Sequence, residues 1–218
     1  ACASRISWRD PASLALAQRW RIPVPMAMGP DPVWCHPGNP RHGDGPIVLC
    51  WRPTSLLDHQ GWCRLGQALD QLIAKQSDAS LLWLAFHAEQ DESLPGWLSD
   101  QGLLPARLQA ISTTAVARSV PDVLDRFARS RLVIPMRLHA LVLAQLAGAP
   151  CAALSYDPKV AAAAAMAAVP CLELSDLPAT ELISACWHQQ IGHNPDPERL
   201  ARIRQDAAVH QATLNALW

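Results

Sequence analysis

From residue 47 onward, short runs of unbroken apolar residues alternate with stretches whose apolar positions recur at helical spacing, each pair taking roughly 20–30 residues. Ile47-Val48-Leu49-Cys50-Trp51 and Leu81-Leu82-Trp83-Leu84-Ala85-Phe86 lack the apolar/polar alternation of a half-exposed strand, as expected of parallel strands covered on both faces. The pattern predicts strands at about 47–51, 81–86, 108–112, 131–136, 151–155 and 170–174. It predicts helices at about 60–75, 88–100, 120–130, 138–148, 159–168, 179–190 and 197–217. Strand and helix in regular succession make an α/β protein, a Rossmann-like doubly wound parallel sheet.

Ahead of this alternation, residues 1–46 read as a leading βα unit, with a strand about Ile6-Ser7-Trp8, followed by a connection. Gly29-Pro30-Asp31-Pro32 and the segment His36 to Pro46 hold too much proline and glycine for a helix or an interior strand to persist. The expected organisation is therefore 1–46 as that unit and connection, 47–190 as the Rossmann-like domain, and 191–218 as a C-terminal docking helix. Leu200, Ile203, Ala207, His210, Leu214 and Leu217 form the apolar stripe by which that helix would dock. The chain starts at Ala1-Cys2-Ala3 with no methionine, so a fragment with an upstream portion is expected.

The most informative junction is Arg131-Leu132-Val133-Ile134-Pro135-Met136-Arg137-Leu138-His139-Ala140, where an apolar run meets an arginine and a histidine as a helical pattern begins. A strand's carboxyl end beside a helix N-terminus offers unpaired N–H groups and the positive end of the helix dipole, and a guanidinium adds a planar two-pronged donor. Arg9, Arg52, His87, Gln90, Asp91 and Lys159 are predicted for the same edge, the one on which open α/β sheets bind ligands. Asp10-Pro11 and Asp157-Pro158 carry the N-cap and first-position proline of helix starts, which accounts for both aspartates structurally. Basic side chains gathered on one rim point to a small, multiply anionic ligand.

Composition narrows the field. Of 218 residues, 50% are hydrophobic and 17% charged, and 18 basic against 19 acidic residues give a formal net charge of −1. Nucleic acid as main partner has no electrostatic support, and any anion site must be local. Seven cysteines, an odd number without a C-x-x-C pair, read as small core residues in a reducing compartment. No signal peptide or membrane-length apolar stretch is present, which points to a cytoplasmic protein. Cys35, His36 and His42 lack a fourth ligand at zinc spacing, so no metal is expected. No Gly-rich dinucleotide fingerprint, Walker loop or serine nucleophile elbow occurs, and no cofactor is expected. The nine tryptophans read as core residues.

Met136-Arg137-Leu138-His139-Ala140-Leu141, followed by Ala149-Pro150-Cys151-Ala152-Ala153-Leu154-Ser155-Tyr156-Asp157-Pro158-Lys159-Val160, resembles the polysaccharide pyruvyl transferase family, especially its cell-wall members of the CsaB type. Ser7-Trp8-Arg9-Asp10-Pro11-Ala12-Ser13 looks like the family's R-D-x-x-S element, Cys50-Trp51-Arg52-Pro53 like its strand ending in R-P, and Phe86 to Asp91 like its segment ending in Q-D. The resemblance implies the C-terminal half of a two-domain, GT-B-like transferase. Its donor would be phosphoenolpyruvate, whose enolpyruvyl group forms a pyruvate ketal on two hydroxyls of a cell-wall or exopolysaccharide sugar. The family's R-L-H maps onto Arg137, Leu138 and His139, with Arg137 and His139 catalytic, and its leading arginine onto Arg9. Arg52 and Lys159 complete the implied donor site. The acceptor would be a saccharide, free or lipid-linked, held with a missing N-terminal domain, and the protein would act in the cytoplasm or peripherally at the inner membrane face. This sequence has Pro135-Met136 where a glycine is commoner before R-L-H. Two other readings stay open: the donor domain of a nucleotide-sugar GT-B glycosyltransferase, which usually places an acidic residue for the ribose, and a non-catalytic binding remnant.

Overall fold

The computed structural model describes residues 3–38, 41–43, 45–76 and 78–215. Ala1, Cys2, Asn39, Pro40, Asp44 and Leu217, which entered the expectations above, lie outside the described residues. The chain divides into two compact units, one formed by the leading segment through Pro37 together with the segment from Asp196 onward, the other by Gly38–Pro195.

In the first unit, β1 (Ile6–Trp8) pairs in parallel with β2 (Met26–Met28), joined by α1 (Pro11–Arg19). Asp10 caps α1 through the Ser13 N–H at 2.7 Å, with Pro11 at the first helical position, as the Asp-Pro signal predicts. The short strand β2 is an addition to the expected βα unit.

The second unit holds β3 (Ile47–Cys50), α2 (His59–Ala74), β4 (Leu81–Ala85), α3 (Ala88–Asp91), α4 (Leu94–Asp100), α5 (Ala106–Ala110) and β5 (Ser112–Val116). It continues through α6 (Val120–Ala128), β6 (Leu132–Pro135), α7 (Leu138–Leu146), β7 (Ala153–Ser155), α8 (Pro158–Ala167), β8 (Cys171–Glu173) and α9 (Thr180–Gln190). Parallel pairing runs β5-β4-β3-β6, and β7 pairs in parallel with β8. A parallel bridge between Val133 and Cys151 links the two groups, with Val133 N–H donating to Pro150 at 2.9 Å and Ala152 N–H to Val133 at 3.1 Å. Counted from β3, the spatial order is 3-2-1-4-5-6, the doubly wound arrangement whose switch point falls between β3 and β6.

Both sheet faces are covered. Ile47, Leu49, Leu81, Trp83, Leu132 and Ile134 join a core with Leu65, Leu69 and Leu72 of α2 and Ile183 and Trp187 of α9. The alternate residues Val48, Cys50, Leu82, Leu84 and Val133 are also buried, which is why these strands read as unbroken apolar runs. Trp51 meets Trp83 edge-on at 5.4 Å and lies 6.2 and 6.3 Å from Trp62 and Trp187, so most of the indoles at this end of the sheet serve the core.

Three expectations need correction. The strand expected at 108–112 is instead the one-turn helix α5 followed by β5. Pro105 starts the turn and good helix formers fill it, while β5 carries a polar Ser112-Thr113-Thr114 start because it lies at the sheet edge, where no apolar run is required. The helix expected at 88–100 is broken into α3 and α4, since Pro95 at the start of α4 has no N–H to extend the preceding turn. The final helix, in the first unit, is α10 (Pro197–Ala207) followed by α11 (Val209–Asn215), parting at Ala208, whose N–H is shared between the Arg204 and Gln205 carbonyls. Ile203 and Ala207 are buried as the stripe predicts, but Leu214 is 57% exposed. His210 docks by polar contacts instead, to Ser7 Oγ at 2.9 Å and the Pro30 carbonyl at 2.8 Å.

Candidate functional site

The switch point brings two arginines to the same level. In the parallel register Cys50 of β3 faces Pro135 of β6, and the Met136 N–H continues the ladder to the Cys50 carbonyl at 3.1 Å. Arg52 and Arg137 each follow two residues beyond that last pair, so they leave neighbouring strands, spaced by about 4.8 Å, at the carboxyl edge. Arg137 is the N-cap residue of α7, with extended backbone, and no side chain caps that first turn, where a helix leaves its first N–H groups without intrahelical acceptors. His139 lies exposed in the same turn and Leu138 is half-buried between them. The strand–helix junction and its closing signals are as predicted: α7 ends at Leu146, and Gly148 follows with φ +69°, a conformation that glycine adopts without strain.

Arg137 is not a free fork. Its Nε donates to Asp91 Oδ2 at 2.9 Å, its Nη2 donates to the other oxygen of the same carboxylate, and Nη2 also donates to Gln90 Oε1 at 3.2 Å. The side chain of Asp91 is 1% exposed and that of Arg137 18%. Asp91 Oδ2 further accepts the backbone N–H of His87 at 3.0 Å, so one carboxylate ties the turn after β4 to the turn after β6. Burial raises the Cys50 thiol well above its ordinary range, and the neighbouring Cys151, Asp91 and Arg137 act on it to a smaller extent. The floor of this edge is thus an inert thiol rather than a nucleophile.

Arg52 turns the other way. Its guanidinium carbon lies 4.9 Å from the centre of the Tyr156 ring, with Nη1 3.4 Å from the phenolic oxygen and Nε donating to the Pro53 carbonyl at 3.2 Å. Tyr156 follows β7, so Arg52 passes across the carboxyl end of β6 to reach it. Among the described residues Arg52 makes no ion pair with a carboxylate, whereas Lys159, in the first turn of α8, pairs with Asp157 at 3.0 Å. Asp157 also caps α8 through the Lys159 N–H at 3.0 Å. The cation in a helix's first turn is therefore offset by the capping carboxylate beside it.

Arg9 belongs to the other unit, at the carboxyl end of β1. There it pairs with Asp31 at 2.9 Å, and Asp31 also accepts the Val33 N–H. Within the second unit the structure gathers Arg52, Arg137, Leu138, His139 and Lys159 along one strand edge, with His87 exposed beside them. Sequence reasoning placed Gln90 and Asp91 on this edge but missed that they hold Arg137, and it missed Tyr156 as the partner of Arg52. The available signal for Tyr156 was its position between a strand and the Asp-Pro start of a helix. Among the described residues no three His, Cys, Asp or Glu side chains converge as a metal site, and no helix is long and apolar enough to cross a membrane.

Comparison with known proteins adds to this geometry. The family model described as polysaccharide pyruvyl transferase matches residues 1–158. No curated protein sequence matches the chain. Among solved structures, GT-B glycosyltransferases share the α/β architecture. A mutant of S. aureus TarM, in complex with Fondaparinux, alpha-GlcNAc-glycerol and UDP, is 10% identical with a TM-score of 0.56, covering 98% of this chain and 42% of that one. Sucrose-phosphate synthase from Thermosynechococcus elongatus is 14% identical with a TM-score of 0.55, covering 98% and 58%. The pneumococcal O-GlcNAc transferase GtfA, in complex with UDP and GlcNAc, is 10% identical with a TM-score of 0.54, covering 98% and 44%. At these identities the likeness is one of fold. The chain spans less than two thirds of the length of each.

Proposed function

Because the chain belongs to the polysaccharide pyruvyl transferase family, we propose that its strand edge binds phosphoenolpyruvate and serves transfer of the enolpyruvyl group to two hydroxyls of a saccharide, forming a pyruvate ketal. The observation that carries this reading is the pair Arg52 and Arg137, set on adjacent strands at the switch point beside the open first turn of α7. Phosphoenolpyruvate carries a carboxylate and a phosphate on a three-carbon frame. Two arginines leaving adjacent strands at the same level beside a helix N-terminus are groups of the kind that meets those two charges.

The reaction needs a proton delivered to the methylene carbon, attack by a sugar hydroxyl on C2 and cleavage of the bond between C2 and the phosphate oxygen, which leaves with the electron pair. A second hydroxyl then closes the ketal at C2. Of the two hydroxyl protons, the balance assigns one to the new methyl group and one to phosphate. His139, exposed in the first turn of α7, is the acid/base group in this scheme, since histidine exchanges protons near neutral pH. Arg137 orients the anion and Arg52 supplies positive charge that no carboxylate among the described residues compensates; Leu138 forms the wall between Arg137 and His139, and Lys159 contributes at the far side of the edge. The acceptor, a free or lipid-linked saccharide, is bound with a further domain upstream of this chain, in the cytoplasm or at the inner membrane face.

Thermal unfolding with phosphoenolpyruvate, a UDP-sugar and a GDP-sugar in parallel tests the reading, two of the fold relatives having been solved with UDP. Phosphoenolpyruvate at a hundred times its dissociation constant should stabilise the protein by about 2.7 kcal/mol. A clear response to the UDP-sugar with none to phosphoenolpyruvate would end it in favour of a glycosyltransferase donor domain.

A further inference from the structure

We infer that Asp91 is a positioning residue of this site: it holds Arg137 side-on, so that the bound anion is met by Nη1 of Arg137 rather than by the two-pronged face of the guanidinium. The inference rests on the donor-site reading above and adds to it which atom is offered and what fixes it.

The donor count carries the argument. A guanidinium has five N–H groups, one on Nε and two on each terminal nitrogen. Nε and Nη2 are engaged by Asp91, and Nη2 again by Gln90. Among the described residues nothing accepts from Nη1, and both of its N–H groups remain for a ligand. The hold is stiff, because the carboxylate is buried, accepts the His87 N–H as well, and thereby anchors to the turn that follows β4. A long arginine side chain at a strand end would otherwise populate several rotamers, and ordering it on binding would weaken affinity. The pair also cancels its own charge. Arg137 then supplies direction, and at the switch point itself net attraction for an anion falls to Arg52, which no described carboxylate neutralises.

The alternative is that the pair only stabilises the fold. Calorimetric titration of phosphoenolpyruvate into the full chain, wild type and Asp91→Asn, Asp91→Ala, Arg137→Ala and the double Asp91→Ala/Arg137→Ala variant, separates the two, with melting curves for each. Asp91→Asn keeps the shape of the side chain and should stay folded. Its affinity should fall roughly ten- to hundredfold, Asp91→Ala should lose at least as much, and Asp91→Ala should cost nothing further once Arg137 is absent. In ligand-free protein the Arg137 Nε–H resonance should exchange slowly in wild type and quickly in Asp91→Asn. Unchanged or tighter binding by Asp91→Asn, or an equal loss from Asp91→Ala with and without Arg137, would overturn the positioning role while leaving the donor site standing. Failure of the wild type itself to bind phosphoenolpyruvate would remove the donor reading instead, and the exchange rates would still report whether Asp91 holds Arg137.

Discussion

At the scale of single residues, the candidate site is a set of partners rather than a row of cations. Arg137→Ala would strand the Asp91 carboxylate, which is 1% exposed, so that variant should lose about 3 kcal/mol of stability as well as ligand affinity. His139→Ala removes an exposed side chain and should leave the melting temperature within a degree or two. Under the function proposed above, ketal formation should cease with His139→Ala, and a wild-type turnover number would remove His139 from the acid/base role. The cysteines divide by burial. Cys50 and Cys151 are fully enclosed and their thiols are pushed up chiefly by that burial; half-buried Cys171 is raised to about 11 by burial, with Glu173 and Cys186 adding to it. Cys35 is exposed, against the expectation that the cysteines are core residues. Alkylation of the native protein near neutral pH should therefore mark Cys35 and spare Cys50 and Cys151 until denaturant is added, as peptide mass mapping would reveal.

At the scale of elements, local backbone chemistry sets where helices begin and end. Asp10 and Asp157 cap helices with proline at the first position, and both starts were legible because capping is a contact between near neighbours in sequence. The end of α8 was less so. Ala168 closes it in the left-handed region at φ +54°, where a Cβ is costly, so Ala168→Gly should raise stability by about 0.5–1 kcal/mol in denaturant titration. Gly66 in α2 illustrates the opposite constraint. A Cβ there would lie 2.5 Å from the Leu103 carbonyl, backbone against backbone, and Gly66→Ala should destabilise by about 1–3 kcal/mol despite alanine's better helix propensity.

At the scale of the whole molecule, a doubly wound sheet and a smaller parallel pair are built from one chain whose last segment returns to the unit that its first segment begins. Gly192, His193 and Asn194 lie exposed between α9 and the final segment. Limited proteolysis should cut between Ile191 and Asp196 before it cuts any strand from β3 to β8; early fragments ending inside that sheet would contradict this division.

The sequence by itself determined the α/β alternation, most strand centres, the helix starts with Asp-Pro signals, the strand–helix junction at residues 131–140 and the family. Each of these is carried by short-range pattern: periodicity, capping and contiguous motifs. Only the tertiary structure decided that the edge strand β5 could be polar, that Asp91 and Gln90 occupy Arg137, and that Arg52 reaches across β6 to Tyr156. Those facts depend on strand order and register, which bring residues 46 and 104 positions apart in the chain into contact, and no local preference encodes such a pairing.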